Sequence, residues 1–468
     1  MNLRSTLLLL GVTIFFSCQE KKKEVVNKKS KEIASFSSDM MESAIIYEAN
    51  IRQYSKEGTF DAFTKDIPEL KKLGVKIIWL MPIFPISETK RKATGGEFAS
   101  LIKDDNERKR MLGSYYAVSD FTKINPEFGT MKDFRKLVKT AHDNDIYVIL
   151  DWVPNHTGWD HTWLKTNPDY YTQNEKREVI HPKGTDWTDV ADLNYDNKEM
   201  RKEMIADMKF WLSKEGVDGF RCDVAGLVPF DFWQEAIPQL RKEKDIFMLA
   251  EAWEPELMND GLFDMAYGWD RHHTMNHIAK GEDVVKKWNE VMEKDQKRYA
   301  KDDVLMIFVT NHDENSWNGT IEERMGKASE ALTVLSYVAP GMPLIYSGQE
   351  YNLSHRLKFF EKDSIPKKKG SMWILLEKLG KLKQTHPALS GGRNAASYAS
   401  LTTDGNIVAI EREKDDKTLI YLANLSNKIA TIKLEKEGGY TDYFSNVELK
   451  LNGEEISLKP GEYKVLIN

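Results

Sequence analysis

From Ser43 onward, apolar positions fall into two alternating patterns. Short unbroken apolar runs, rich in β-branched residues, occupy 44–50, 76–81, 146–152, 216–224, 246–252, 304–311 and 343–348. Unbroken runs of this length suit parallel strands covered on both faces. Between them, apolar residues recur at helical spacing over 60–73, 131–143, 198–214, 231–241, 322–339 and 371–385. Gly74, and Gly216 ahead of the fourth run, predict helix stops. A short run at 262–266 completes eight strand–helix units. Such alternation predicts an α/β chain folded as a (β/α)8 TIM barrel, with a doubly wound open sheet as the alternative. The barrel spans 43–154 and 198–390. Two long connections interrupt it: 83–113, which is polar, and 155–197, which is aromatic.

Past 390 the period changes. The segments NIVAIERE, KTLIYLANLS, IATIKLE, VELKLN, EISLKP and EYKVLIN read as strands, with turns at Asp404-Gly405, Asn452-Gly453 and Pro460-Gly461. They predict a C-terminal antiparallel β-sandwich over 391–468. At the other end, Met1–Arg4 carries one positive charge and residues 5–17 form an apolar run of 13, short of the ~20 that span a bilayer. Residues 1–18 therefore read as an export signal. The charged, aperiodic stretch over 19–42 reads as a flexible tether.

Composition narrows the function. Of 468 residues, 41% are apolar and 30% charged, which is a globular balance. A net charge of −6 offers no basic surplus for a nucleic acid. Two cysteines, Cys18 and Cys222, exclude a disulfide framework or a four-cysteine metal site. In a barrel of this kind chemistry sits at the C-terminal ends of the strands. Four ends are acidic: Asp151-Trp-Val-Pro-Asn155-His156, Gly219-Phe-Arg221-Cys222-Asp223, Ala250-Glu251-Ala252-Trp253 and Thr310-Asn311-His312-Asp313. Residues two apart share a strand face, so Arg221 and Asp223 point into the same mouth while Cys222 points outward. A carboxylate beside a guanidinium stays ionised and suits a nucleophile; the apolar flanks of Glu251 suit a proton donor. Taken singly, each is equally a salt bridge or cap.

In order, the four segments resemble the conserved regions of the alpha-amylase family of glycoside hydrolases (family 13). ADLN, with Asp192, resembles a further motif of the family's domain B, here 155–197. YAVSDF, with Tyr116, resembles its substrate-ring tyrosine segment. The resemblance implies Asp223 as nucleophile, Glu251 as general acid/base and Asp313 as the carboxylate that binds and distorts the reacting sugar. It groups Tyr116, His156, Arg221 and His312 with the substrate: Tyr116 beneath the ring, both histidines on its hydroxyls, and Arg221 orienting Asp223. Asp151 becomes a supporting residue. The substrate implied is starch, glycogen or a maltooligosaccharide, cleaved at α-1,4 bonds with retention. Transglycosylation or isomerisation in the same family, and an inactive glycan-binding barrel, are the alternatives. No cofactor is needed for the chemistry. Asn155 and Asp192 match the family's ligands to a structural calcium ion. The Lys-His pair usual after the nucleophile is replaced by Gly226-Leu227. The aromatic residues Trp159, Trp163, Tyr170, Tyr171 and Trp187 either overhang the cleft or form the core of the insertion. Finally, Phe15-Phe16-Ser17-Cys18 resembles a bacterial lipobox, which implies an exported protein anchored to the outer membrane through a lipid on Cys18.

Overall fold

The computed structural model describes residues 33–281, 284–402 and 405–468. The export signal, Cys18, residues 19–32 of the tether and Asp404 of the first turn lie outside the described residues. Among the described residues, no helix is long and apolar enough to cross a membrane.

Eight strands close into a parallel barrel: β1 (Ile46–Ala49), β2 (Ile77–Leu80), β3 (Tyr147–Trp152), β4 (Gly219–Cys222), β5 (Phe247–Ala250), β6 (Met265–Tyr267), β7 (Val304–Ile307) and β8 (Met342–Tyr346). Each pairs with the next, and Ile46 of β1 sits opposite Leu344 of β8. That last pairing removes the open sheet. Strand alternation sorts the side chains. Ile46, Ile77, Ile149, Phe247, Leu249, Met265 and Leu344 fill the interior, whereas Tyr47, Ile78, Val148, Phe220 and Met248 face the surrounding helices. Followed two residues at a time towards the strands' C-terminal ends, the inward positions change from apolar to polar: Ile46 leads to Glu48, Ile149 to Asp151, and Leu249 to Glu251. One end of the barrel is thereby hydrocarbon and the other carries charge.

Several features depart from the pattern reading. The helix expected over 60–73 is two, Phe60–Thr64 and Ile67–Lys72, because Pro68 lacks an amide proton and opens a new helical turn. The stretch 322–339 divides likewise at Gly326, whose φ is +49°. Two helices that the reading does not name, Trp269–Ala279 and Val284–Arg298, connect β6 to β7. Part of the tether is structured: Ser38–Met41 is a helical turn, Met41 is buried, and Phe36 packs on Tyr147 and Phe247. These apolar side chains cover the hydrocarbon end of the barrel, which the charge-based reading of 19–42 overlooks.

The insertion after β3 is held by a short antiparallel ladder between His156–Gly158 and Val190–Asp192. C-terminal to the barrel lie a six-stranded antiparallel sheet and a two-stranded one, packed through Ile407, Ile420, Leu422, Leu458 and Leu466. Glu437–Asp442 supplies a strand the pattern does not predict, since its glycine pair lacks the side chains that mark a strand.

Candidate active site

A cavity of about 810 Å³ opens over the polar end of the barrel. Asp223, Glu251, Asp313, Tyr116, His156 and His312 all line it. Asp223 and Glu251 continue the inward series of β4 and β5, His312 and Asp313 follow β7, and Tyr116 and His156 come from the connections after β2 and β3.

β4 sets the geometry. A side chain at Gly219 would put its Cβ 1.9 Å from the carbonyl oxygen of Phe247, so only glycine lets β4 approach β5 this closely. Two residues on, Arg221 is wholly buried beneath the cavity floor. It does not line the cavity. Instead it organises carboxylates. Nη1 donates to Asp151 Oδ1 at 2.8 Å and to Asp223 Oδ1 at 2.9 Å, while Nη2 lies 2.7 Å from Glu251 Oε2. Nε donates to the Tyr267 hydroxyl at 3.2 Å. The sequence argument that a guanidinium alone holds Asp223 ionised leaves out burial. Burial pushes the Asp223 carboxyl well above the ordinary carboxylate range against the pull of Arg221, and the Glu251 and Asp151 charges add to the rise. Glu251 is not in apolar surroundings either: besides Arg221, it accepts from the Val224 amide at 2.9 Å. Val224 reaches that position with φ +38° and ψ +46°, a left-handed conformation costly for a β-branched residue. Local strain beside Asp223 thus aims an amide at Glu251.

A second network lies across the cavity. Asp151 Oδ2 accepts from Trp79 Nε1 and from the Tyr116 hydroxyl, both at 3.1 Å. The same hydroxyl lies 2.8 Å from His312 Nε2, which is 3.4 Å from Asp313 Oδ2. His312 Nδ1 meets Glu48 Oε1 at 2.5 Å. Burial alone would lower the imidazole, but the charges of Asp313 and Glu48 outweigh it and raise His312 to about 9. His156 has no such partner, and burial lowers it to about 3, so it works as a neutral ring. Its Nδ1 accepts from Asn155 Nδ2 at 3.2 Å, which leaves Nε2–H for the cavity.

Sequence reasoning missed Glu48. Its signal was an acid at an inward position of an apolar run, where only a buried partner makes burial tolerable. It also missed an aromatic wall: Phe359 lies parallel to Tyr116 at 6.5 Å, and Trp317 packs on Phe359 at 5.1 Å. Of Trp159, Trp163, Tyr170, Tyr171 and Trp187, the last lines the cavity. Trp163 and Tyr171 are buried in the insertion's core, and Trp159 donates to the Thr188 carbonyl. Lys92 of the 83–113 connection donates to the Asp186 carbonyl at 2.7 Å and joins the two insertions at the rim.

His156 pairs with Asp192 across the insertion's ladder, and the Asn155 carbonyl accepts from the Leu193 amide at 3.2 Å, so Asn155 and Asp192 stand one register position apart. Both offer the hard oxygens that calcium takes. Only one is charged, and among the described residues no group of three or more His, Cys, Asp or Glu side chains is set to hold a metal. The two would supply at most the side-chain share of a calcium shell, with backbone carbonyls and water making up the rest.

Comparison with known proteins agrees with this architecture. Residues 27–372 match the family described as alpha amylase, catalytic domain. The chain is 25% identical over 418 residues to the alpha-amylase MalA of Haloarcula japonica, covering 86% of this chain and 58% of MalA, so it spans less than two thirds of that relative. It is 30% identical over 332 residues to a 4-alpha-glucanotransferase of Thermotoga neapolitana, 63% of this chain and 68% of the relative. Among solved structures, the maltogenic alpha-amylase AmyB of Thermotoga neapolitana superposes with a TM-score of 0.79 at 26% identity, over 91% of this chain and 98% of AmyB. The match over the whole barrel, with the four acidic strand ends in order, establishes that this chain belongs to the alpha-amylase family.

Proposed function

We propose that the protein is a retaining α-glucan hydrolase that cleaves α-1,4 bonds of starch, glycogen or maltooligosaccharides. The observation that carries this reading is the sharing of Arg221 by Asp223 and Glu251, one on each terminal nitrogen. Retention needs two carboxyls only about 5–5.5 Å apart, one to attack and one to protonate. Three carboxyls around one guanidinium also favour keeping a single proton in the cluster, and the reaction uses one protonated and one ionised carboxyl. Asp223 attacks the anomeric carbon from below while Glu251 gives its proton to the departing glycosidic oxygen. Glu251 then takes a proton from water, which displaces Asp223 and releases the α-anomer. Asp313, His312 and His156 hold the hydroxyls of the reacting sugar, and Tyr116 lies under its ring. Bound at Asn155 and Asp192, calcium would supply a structural tie between barrel and insertion, a weak one with a single carboxylate in its shell. Lipidation at Cys18 and export to the outer membrane belong to the same reading.

NMR of the first products from maltotetraose should show the α-anomer in excess before mutarotation; initial β-anomer would overturn the mechanism. Transfer of the glycosyl group to a sugar in place of water is the second reading, favoured by the likeness to a glucanotransferase. It predicts products longer than the substrate.

The His312–Glu48 pair gives a pH test. The folded pKa of about 9 lies above the ordinary 6.5. The stabilisation is therefore fully present below about 6.5 and is lost as pH rises through about 9. Activity that needs the imidazolium as donor should fall on the same limb. In Glu48→Gln the alkaline limb of kcat/KM should move down by about one pH unit or more. An unmoved limb would remove His312 from the titration.

A further inference from the structure

The rim of the catalytic cavity is built unevenly. In the closed order of the barrel β1 stands opposite β5, with β2 and β8 on either side of β1. On the β5 side the rim is sparse. Among the described residues, the ends of β4 and β5 supply only Asp223, Val224 and Glu251 to the cavity. Beside them Leu227 and Trp253 stay 60% and 41% exposed. On the β1 side, the connections after β2 and β8 meet as one wall.

The polar connection 83–113 carries that wall. Its tip is a hairpin in which Lys92 pairs with Phe98 and the Ala93 amide donates to the Glu97 carbonyl at 2.7 Å. Gly95 and Gly96 turn the tip with φ of +93° and +85°, a conformation that disfavours any side chain. Thr94, Gly95 and Gly96 line the cavity. Towards the loop after β8, the Thr94 hydroxyl donates to Glu361 Oε1 at 2.8 Å, and the Leu112 amide donates to the Phe360 carbonyl at 2.6 Å. Towards the insertion, the Glu88 amide donates to Asp160 Oδ2 at 2.8 Å, and Lys92 holds the Asp186 carbonyl. Gln53, wholly buried after β1, fixes the base. Its Nε2 donates to the carbonyls of Lys358 and Glu361, and its Oε1 accepts from the Asp363 amide at 2.6 Å. Backbone groups take part in nearly all of these bonds, so rotation of one side chain does not open the wall.

The place of the wall decides which part of a glucan meets it. Glu251, on β5, protonates the departing oxygen, so the leaving part of the chain exits over the sparse rim. The retained sugar lies over Tyr116 and sends its preceding units towards the wall, where Phe359 stands beside Tyr116. The cavity of about 810 Å³ falls in the range of roughly 300–1,000 Å³ that encloses a small molecule, not a passing polymer.

We infer that the protein works from the non-reducing ends of α-glucan chains: the wall stops the terminal unit, and each cleavage releases a short sugar. The inference rests on the proposed hydrolase reading and adds to it a requirement for a free chain end. Internal segments are excluded by clash with the wall, not by a lack of contacts.

The test compares maltoheptaose with maltoheptaose that carries an ethylidene acetal on its non-reducing unit, using the full chain and chromatography of the products. The blocked substrate should be cleaved at least about 100-fold more slowly. Deleting residues 94–96 shortens the tip and should raise the ratio of blocked to free rates at least about tenfold. Thr94→Val, which cuts the tie to Glu361, should act in the same direction and serves if the deletion does not fold. Equal cleavage of both substrates by the parent overturns the chain-end requirement and leaves the hydrolase reading standing. A ratio unmoved in both variants overturns the role of the wall. If the parent cleaves neither substrate, the hydrolase reading falls, and the inference with it.

Discussion

Asparagine at position 223 should reduce kcat on maltooligosaccharides at least about 10⁴-fold while leaving the protein folded. The amide keeps the size of the carboxylate and still accepts from Arg221 Nη1, 2.9 Å away in the native site. It cannot form the glycosyl–enzyme bond. Glu251→Gln should fall to a similar level, because it removes the proton without which the leaving oxygen departs as an alkoxide. The double variant should be scarcely slower than either single one, since the two groups act as a unit and their losses do not add. Stopped assays against maltotetraose, with the melting temperature as folding control, decide the matter. Independent losses that multiply in the double variant would mean that the two carboxyls do not serve one displacement.

Which parts were legible in the sequence follows from how each is encoded. The barrel and its acidic rim were readable because strand parity is local: Asp151, Arg221, Asp223 and Glu251 stand two residues apart, or continue an inward series, on single strands. Glu48 obeys the same parity, but its meaning comes from His312, 264 residues away, and no local pattern names that partner. The aromatic wall is less legible still. Trp317 belongs to an irregular turn after Asp313, and Phe359 to a loop without periodicity; only tertiary structure brings them to Tyr116. Burial was misjudged for a related reason. Neighbours in sequence suggested apolar surroundings for Glu251, yet its surroundings are a guanidinium from β4 and an amide from the strained turn after Asp223. Composition misled where apolar residues were few but well placed, as with Phe36 and Met41 against the barrel's closed end.

Arg221→Met should be the most damaging substitution that touches no substrate. The methionine fills much of the volume but leaves Asp151, Asp223 and Glu251 without the cation that now lies within 2.9 Å of each. Removing one partner of a buried ion pair costs about 3–5 kcal/mol, because the remaining charge keeps its desolvation penalty. In a chain of this size that lowers the melting temperature by roughly 3–6 °C. The sign of the pH dependence separates charge from packing. With the guanidinium gone, Asp151 and Asp223 escape repulsion by taking up protons, and their folded pKa values rise further above the unfolded ones. The variant therefore recovers stability as pH falls, and its gap from the parent should be clearly smaller at pH 5 than at pH 8. Arg221→Lys should lie between, since one ammonium can neutralise a carboxylate but cannot span Asp151, Asp223 and Glu251 as a planar fork does. Thermal melts of the three proteins across that range provide the measurement. A gap that stays constant with pH would assign Arg221 to packing, and the shared guanidinium would lose its place in the mechanism.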